Sequence, residues 1–314
     1  MQLYKSRGFS EFFQDTFAFL KQNGKHYFKH FFIVNGIFFL ILMVFGYFFT
    51  KFYSEIVFSG FTNPNNSNFM EDYLNDNGPL VITLGILFFI VALCAAIISY
   101  SYTPIYLKLY AEKDGKHFST REIVETYKQK IGAIFTFLLA GLLMIFILII
   151  PIALGAFVLM ITLVGILLIP LLMATVAQLY AGALMEYLEG KKGVFKCFGY
   201  AWDLITSKFW PAIGSVGLFY FMSYIIQNIV TMIPYLFGMV SFFTTVEQQG
   251  QPDAETISSF MTVMMLLVFF LNFLLGTILN NIVQLNQGIV FYSLKEEKEN
   301  INTKSEIDLI GSGE

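Results

Sequence analysis

Charged residues divide the chain into long apolar blocks. A helix needs about 20 apolar residues to cross a hydrocarbon core of about 30 Å. One block is long enough for two such helices, and each of the others holds one, so the pattern predicts six membrane spans. The stretches that contain no Asp, Glu, Lys or Arg are 31–50, 77–107, 131–185, 209–246 and 256–294.

The block 131–185 needs a break between its two helices. Pro151 and Gly155 lie near its middle, and both residue types interrupt helices, so we place the turn there. The six spans form one predicted domain, 1–294, which is followed by a cytoplasmic tail, 295–314. The predicted spans are 31–50, 79–105, 131–152, 157–184, 210–234 and 258–282.

Three segments outside the spans carry apolar residues at helical spacing, which predicts amphipathic helices in the membrane interface. The first is 8–23. The second begins at a capping box of Ser119 and Glu122 and leads into span three. The third, ahead of span five, includes Trp202, and Trp210 follows it; both tryptophans are predicted interfacial anchors. An interfacial helix before each of three hairpins indicates either internal repetition or coincidence.

Basic residues predict the orientation. Eighteen of the 19 Lys and Arg residues fall on one side of the six-span topology, and the exception is Lys51. The positive-inside rule places that side, with both termini, in the cytoplasm. The opposite side is small, and its largest piece contains the turn Asn63-Pro64-Asn65-Asn66. The first apolar block begins only at Phe31, so we expect an anchored helix rather than a cleaved signal peptide.

Composition agrees with a membrane protein. Hydrophobic residues make up 56% of the 314 residues and charged residues 13%, against about 25% charged in soluble domains. The expected fold is all-α: a polytopic integral membrane helical bundle of six transmembrane helices, with amphipathic interfacial helices on the cytoplasmic side. Cys94 and Cys197 are expected to be unpaired thiols.

Candidate chemistry is sparse. His26 and His30 have the spacing of a metal pair, but no carboxylate follows at ligand spacing, and we interpret them as interfacial side chains. No Asp, Glu, Lys, Arg or His lies within a predicted span, which argues against acid–base catalysis or ion coupling at membrane depth. We expect no catalytic residue, metal or cofactor. An enzyme that uses inner-loop residues such as Asp203 or His117 is the least favoured hypothesis.

Amide side chains supply most of the polarity within the spans. Amides in hydrocarbon need partners, so they should face the bundle interior. They either hold helices together, emerge at the interface, or line a polar groove for a headgroup or peptide. The candidate groove residues are Asn35, Gln178, Gln227, Asn228, Asn272, Asn280, Gln284 and Gln287.

Two short patches carry a family resemblance. They are Phe195-Lys196-Cys197-Phe198-Gly199-Tyr200-Ala201-Trp202-Asp203-Leu204-Ile205 with Lys208-Phe209-Trp210, and Phe13-Gln14-Asp15-Thr16-Phe17-Ala18-Phe19. They resemble a poorly characterised bacterial six-span family that includes the membrane domain beside some glycerophosphodiester phosphodiesterases. The resemblance implies a bacterial inner-membrane location. It does not extend to the catalytic domain, so it does not imply phosphodiesterase activity.

The functional expectation is a non-enzymatic inner-membrane protein that interacts with lipid or serves as an accessory or scaffold subunit of a membrane complex. The alternative is a permease or flippase-like transporter of a lipidic or neutral solute. Expected partners are membrane lipids, with another membrane protein or a second copy of the chain as alternatives. We expect no nucleic-acid partner.

Overall fold

A computed structural model describes residues 1–62, 69–249 and 254–302. In these ranges the chain forms seven helices and no strand: α1 Phe9–Thr62, α2 Phe69–Glu112, α3 Thr120–Met160, α4 Leu163–Glu189, α5 Val194–Ser207, α6 Phe209–Gln249 and α7 Ala254–Glu299. All of these except α5 are long and apolar enough to cross a membrane. The predicted all-α, six-span class is therefore confirmed. The predicted turn at Asn63-Pro64-Asn65-Asn66 lies outside the described residues.

Apolar side chains on the spanning helices face outward. In α3 the most apolar stretch contains no buried residue. Phe146 of α3 and Phe237 of α6 are each 73% exposed. Such helices would be unstable in water because large apolar surfaces remain uncovered, whereas a hydrocarbon solvent covers them. The helices are those of a multi-pass membrane protein.

The first amphipathic segment is not a separate helix. The predicted interfacial helix 8–23 and span 31–50 are both part of α1, which continues without a break. The residues between them, such as His26 and Tyr27, are compatible with helix, so their polarity does not interrupt it. The buried face of this part carries Phe12, Thr16 and Phe19, while Phe9 and Phe17 are exposed.

The predicted turn at Pro151 and Gly155 is also wrong. Pro151 lies inside α3, which continues to Met160. A proline removes one backbone hydrogen bond and kinks a helix, but membrane helices tolerate it. The chain turns at Thr162 instead, whose side-chain oxygen accepts a hydrogen bond from the Gly165 backbone N–H at 2.9 Å. This N-cap satisfies one of the free donors at the start of α4.

Two other helix ends follow local sequence signals. The predicted start at Ser119 is confirmed, because the Ser119 backbone N–H donates to the Glu122 carboxylate at 2.8 Å. Helix α4 ends at Gly190, which adopts the left-handed conformation with φ of 78°. The predicted tail 295–314 begins within α7, since that helix continues to Glu299. Residues 303–314 lie outside the described part of the chain.

Contacts within the chain define two compact units. Unit 1 comprises Met1–Val34, Ser99–Ser223 and the described part of Asn280–Glu314. Its N-terminal segment is fixed by Arg7, whose buried guanidinium donates to Asp15 at 2.7 Å and to the carbonyl oxygens of Gln2 and Leu3 at 2.6 and 2.7 Å. Sequence reasoning placed Arg7 only among the cytoplasmic basic residues.

Unit 2 comprises the described residues of Asn35–Ile98 and Tyr224–Leu279. Aromatic rings make much of its packing: the Phe39 and Phe273 ring centroids are 5.6 Å apart in an edge-to-face arrangement. A hydrogen bond of 2.8 Å from the Thr262 hydroxyl to Ser54 also joins α7 to α1 within this unit. The single domain 1–294 stays a prediction.

Candidate functional site: the polar interior of unit 1

A buried ion cluster lies where α4 ends beside α7. Glu186 and Glu189 occupy the last turn of α4, and Lys295 lies near the end of α7. The Lys295 Nζ is 2.7 Å from Glu186 and 2.6 Å from Glu189. The side chains of Lys295 and Glu186 are only 2% and 1% exposed. Burial of these charges is tolerable because each has an opposite charge within hydrogen-bonding distance.

Three more side chains complete this cluster. Lys192, in the α4–α5 turn, contacts Glu186 at 2.5 Å, and its Nζ lies 3.4 Å from the centre of the Tyr200 ring. The Tyr200 hydroxyl donates to Glu299 at 2.5 Å. Burial and the Glu299 carboxylate both raise the pKa of Tyr200, so it remains a donor at neutral pH. The cluster therefore joins α4, α5 and α7 through mutually neutralising groups.

Sequence reasoning missed the ion cluster. The uncharged block 131–185 ends at Met185, so Glu186 was assigned to the cytoplasmic side of span four. The structure continues α4 by one more turn and covers Glu186 completely. One signal was available: Glu186 and Glu189 are three residues apart, so they share a helix face directly after an apolar block.

A hydroxyl and amide network lies earlier in α7, before Lys295. The Tyr27 hydroxyl is 2.6 Å from the Thr103 hydroxyl and donates to the Asn281 side chain at 2.9 Å. Thr103 in turn donates to the Gln284 side-chain oxygen at 3.0 Å. All four side chains are buried, so helices α1, α2 and α7 are linked by bonds that water does not weaken.

A second amide on α7 faces a different pair of helices. The Asn286 side-chain nitrogen donates to the hydroxyl oxygens of Thr16 and Ser215, each at 3.0 Å. All three side chains are fully buried. Asn286 thus joins α7 to α1 and α6. Sequence reasoning did not include this residue among the groove candidates.

Four of the eight predicted groove residues belong to unit 1. Gln178, Gln284 and Gln287 are buried, whereas Asn280 is exposed. The Gln178 side-chain nitrogen donates to the Gln287 backbone oxygen at 3.1 Å, and the Gln178 side-chain oxygen is buried without a hydrogen-bond partner. A cavity of about 10 Å³, enough for about one water, is lined by Gln284, Gln287 and four apolar or aromatic residues.

The other four candidates belong to unit 2. Asn272 accepts a hydrogen bond from the Thr231 hydroxyl at 3.0 Å, and its backbone oxygen lies 3.5 Å from the Gln227 side-chain nitrogen. Asn35 is buried. Asn228 is exposed and donates to the backbone oxygen of Tyr224 in its own helix. Asn272, Gln227 and Thr231 thus connect α6 and α7 within this unit.

Helix α5 presents two different faces. Cys197, Phe198, Ala201, Leu204 and Ile205 are buried, and burial raises the pKa of the Cys197 thiol to about 11. On the other face Phe195 is 55% exposed and Trp202 is 47% exposed. The other predicted anchor, Trp210 at the start of α6, is 72% exposed. The structure thus exposes both predicted anchors, and their placement at the membrane interface stays a prediction.

A larger, open polar cleft of about 470 Å³ lies between the N-terminal segment and the end of α7. Its Glu297 accepts from Ser6 at 2.5 Å and also pairs with Lys208. Among the described residues no group of three or more His, Cys, Asp or Glu side chains has metal-binding spacing.

Comparison with protein families, with curated proteins and with solved structures finds no match for this chain. The resemblance of its two short patches to a six-span family therefore stays a prediction.

Proposed function

We propose that this chain is a non-enzymatic membrane protein that interacts with lipid at its inner face or serves as an accessory or scaffold subunit of a membrane complex. The observation that carries the proposal is the pattern of bonding between the polar groups of unit 1. Buried amides, hydroxyls and charges are bonded mainly to each other, as in a bundle that is held together rather than one that contains a pathway.

The α5 surface supports the lipid part of the proposal. Phe195, Trp202 and Trp210 are exposed large apolar residues, and the Lys191 side chain is 74% exposed. Lys196 is exposed on the same helix as Phe195. Aromatic residues favour the headgroup level, and each lysine near an anionic surface contributes about 1 kcal/mol. This combination suits anionic phospholipid at the inner leaflet, which we propose to be that of a bacterial inner membrane.

Native mass spectrometry tests this proposal. The chain is extracted in mild detergent and offered phosphatidylglycerol or phosphatidylcholine. We expect preferential retention of phosphatidylglycerol, and a loss of about fivefold for each of Lys191→Gln and Lys196→Gln. Lys51→Gln is the matched control, because Lys51 is the one basic residue predicted on the opposite side.

Two results would contradict the proposal. Equal retention of both lipids by the parent chain and by the lysine variants would remove the lipid part. A lone monomer after gentle extraction and in-cell cross-linking would remove the accessory part. Transport of a lipidic or neutral solute by liposomes that contain the purified chain would favour the alternative transporter function instead.

A further inference from the structure

Two histidine side chains of α1 are in direct contact with each other. His26 and His30 are one helical turn apart, and their Nε2 atoms are 3.1 Å from each other. His30 is only 6% exposed. From this geometry we infer that His26 and His30 form a binding site for one divalent transition-metal ion of the Zn²⁺ or Cu²⁺ class. This inference is independent of the lipid and accessory function proposed above.

The distance between the two nitrogens fits shared coordination. Zinc–nitrogen bonds are about 2.0–2.1 Å, so two nitrogens on a tetrahedral ion are about 3.3 Å apart. The same bond lengths at a right angle place the nitrogens about 2.9 Å apart. The observed separation of 3.1 Å lies between these values. A metal ion can therefore bind both rings with little movement of α1.

The other nitrogen of each ring has a partner that orients it. The Nδ1 atom of His26 is 2.8 Å from the Tyr106 hydroxyl, and the Nδ1 atom of His30 is 2.5 Å from the Thr120 hydroxyl. When each Nδ1–H donates to its hydroxyl, both Nε2 atoms are left unprotonated. The two rings are tilted by 64° to each other, and a shared metal ion would lie to the side of the line between the two nitrogens, where both lone pairs can reach it. Metal-binding histidines characteristically have such an outer hydrogen bond.

A further oxygen and the neighbouring charges define what the site can bind. The Phe118 carbonyl oxygen is 3.1 Å from the His26 Nε2, so it borders the position of the ion. Imidazole nitrogen suits zinc and copper, whereas magnesium and calcium prefer oxygen ligands. Lys29 and Lys116 act on His26 electrostatically and oppose a bound cation. We therefore expect micromolar rather than nanomolar affinity, with water in the remaining coordination positions.

Zinc titration of the full chain tests the inference. The chain, purified without a histidine tag and stripped with chelator, is titrated with Zn²⁺ by calorimetry. We expect one ion per chain, and at least about tenfold weaker binding in His26→Gln and in His30→Gln. His117→Gln is the matched control, because His117 is the only other histidine. Tyr106→Phe should weaken binding by less than either ligand variant, since it removes only an orienting contact.

A spectroscopic measurement on the unmodified chain keeps the inference testable if a variant fails to fold. Bound Cu²⁺ should show an electron paramagnetic resonance spectrum with two equivalent imidazole nitrogens. The inference is overturned if the parent chain binds neither ion below millimolar concentration. It is equally overturned if His117→Gln alone abolishes binding, or if the copper spectrum shows a single nitrogen; the pair would then share only a proton.

Discussion

The ion cluster of unit 1 allows one stability effect to be worked out closely. Lys295→Met removes the only charge among the described residues that contacts both Glu186 and Glu189, at 2.7 and 2.6 Å. Methionine keeps most of the buried stem of lysine, so the change acts on charge rather than on packing. Helix α7 itself should remain intact, because methionine is a good helix former.

The magnitude follows from burial. Removing one partner of a buried ion pair costs about 3–5 kcal/mol, because the remaining charge is left without full compensation. Glu186 keeps its contact with Lys192, and Glu189 is 16% exposed and partly hydrated. We therefore expect a loss near the lower end, about 3 kcal/mol. Arg121→Ala is the reference variant: it breaks the ion pair of Arg121 and Glu125, whose side chains are 87% and 50% exposed, and should cost far less.

Reversible unfolding in mixed detergent and dodecyl sulfate micelles, followed by tryptophan fluorescence, measures both variants. Trp202 on α5 reports on unit 1 directly. The double variant Glu186→Leu with Lys295→Met should be less destabilised than the sum of the single variants, because the two charges are removed together. A loss for Lys295→Met no larger than that for Arg121→Ala would refute the reasoning that the cluster is buried and coupled.

Three further predictions concern a turn, a thiol and the topology. Thr162→Ala should cost about 1 kcal/mol of stability in the same unfolding assay and Thr162→Ser almost nothing, since only the hydroxyl caps α4. Equal losses in the two variants would contradict the role of the hydroxyl as the cap. Cys197 should resist maleimide at pH 7 in the folded chain and react after unfolding, because its pKa of about 11 leaves almost no thiolate until the pH approaches that value. Rapid labelling of the folded chain would contradict its burial. With both native cysteines replaced by alanine, a membrane-impermeant maleimide on intact cells should label Lys51→Cys but not Lys116→Cys, because the positive-inside rule places Lys116 in the cytoplasm. The reverse labelling would show that the topology is inverted.

The positions of the spans were predictable because each is encoded locally. A long block without charge needs no knowledge of its neighbours to be assigned to the membrane, and the five blocks correspond to the six helices that are long and apolar enough to span it. Helix ends were less predictable. Pro151 gave a stronger sequence signal for a turn than Thr162, but the proline is accommodated within α3 and the threonine caps α4.

The roles of individual polar residues were the least predictable. Arg7 and Glu186 both lie in predicted cytoplasmic segments, and the structure buries both. Asn280 and Asn281 are adjacent and chemically identical, yet Asn280 is exposed and Asn281 is buried against Tyr27. One residue along a helix rotates a side chain by about 100°, so a small error in the assumed face reverses the outcome.

The sequence by itself determined that this is a helical membrane protein with six spans, because hydropathy and charge position act through the solvent and not through specific partners. Only the tertiary structure decided which polar groups meet. Lys295 and Glu186 are more than a hundred residues apart, and the two histidine nitrogens face each other only because Tyr106 and Thr120 fix both rings. Such contacts depend on distance and direction in space, which a linear pattern does not contain.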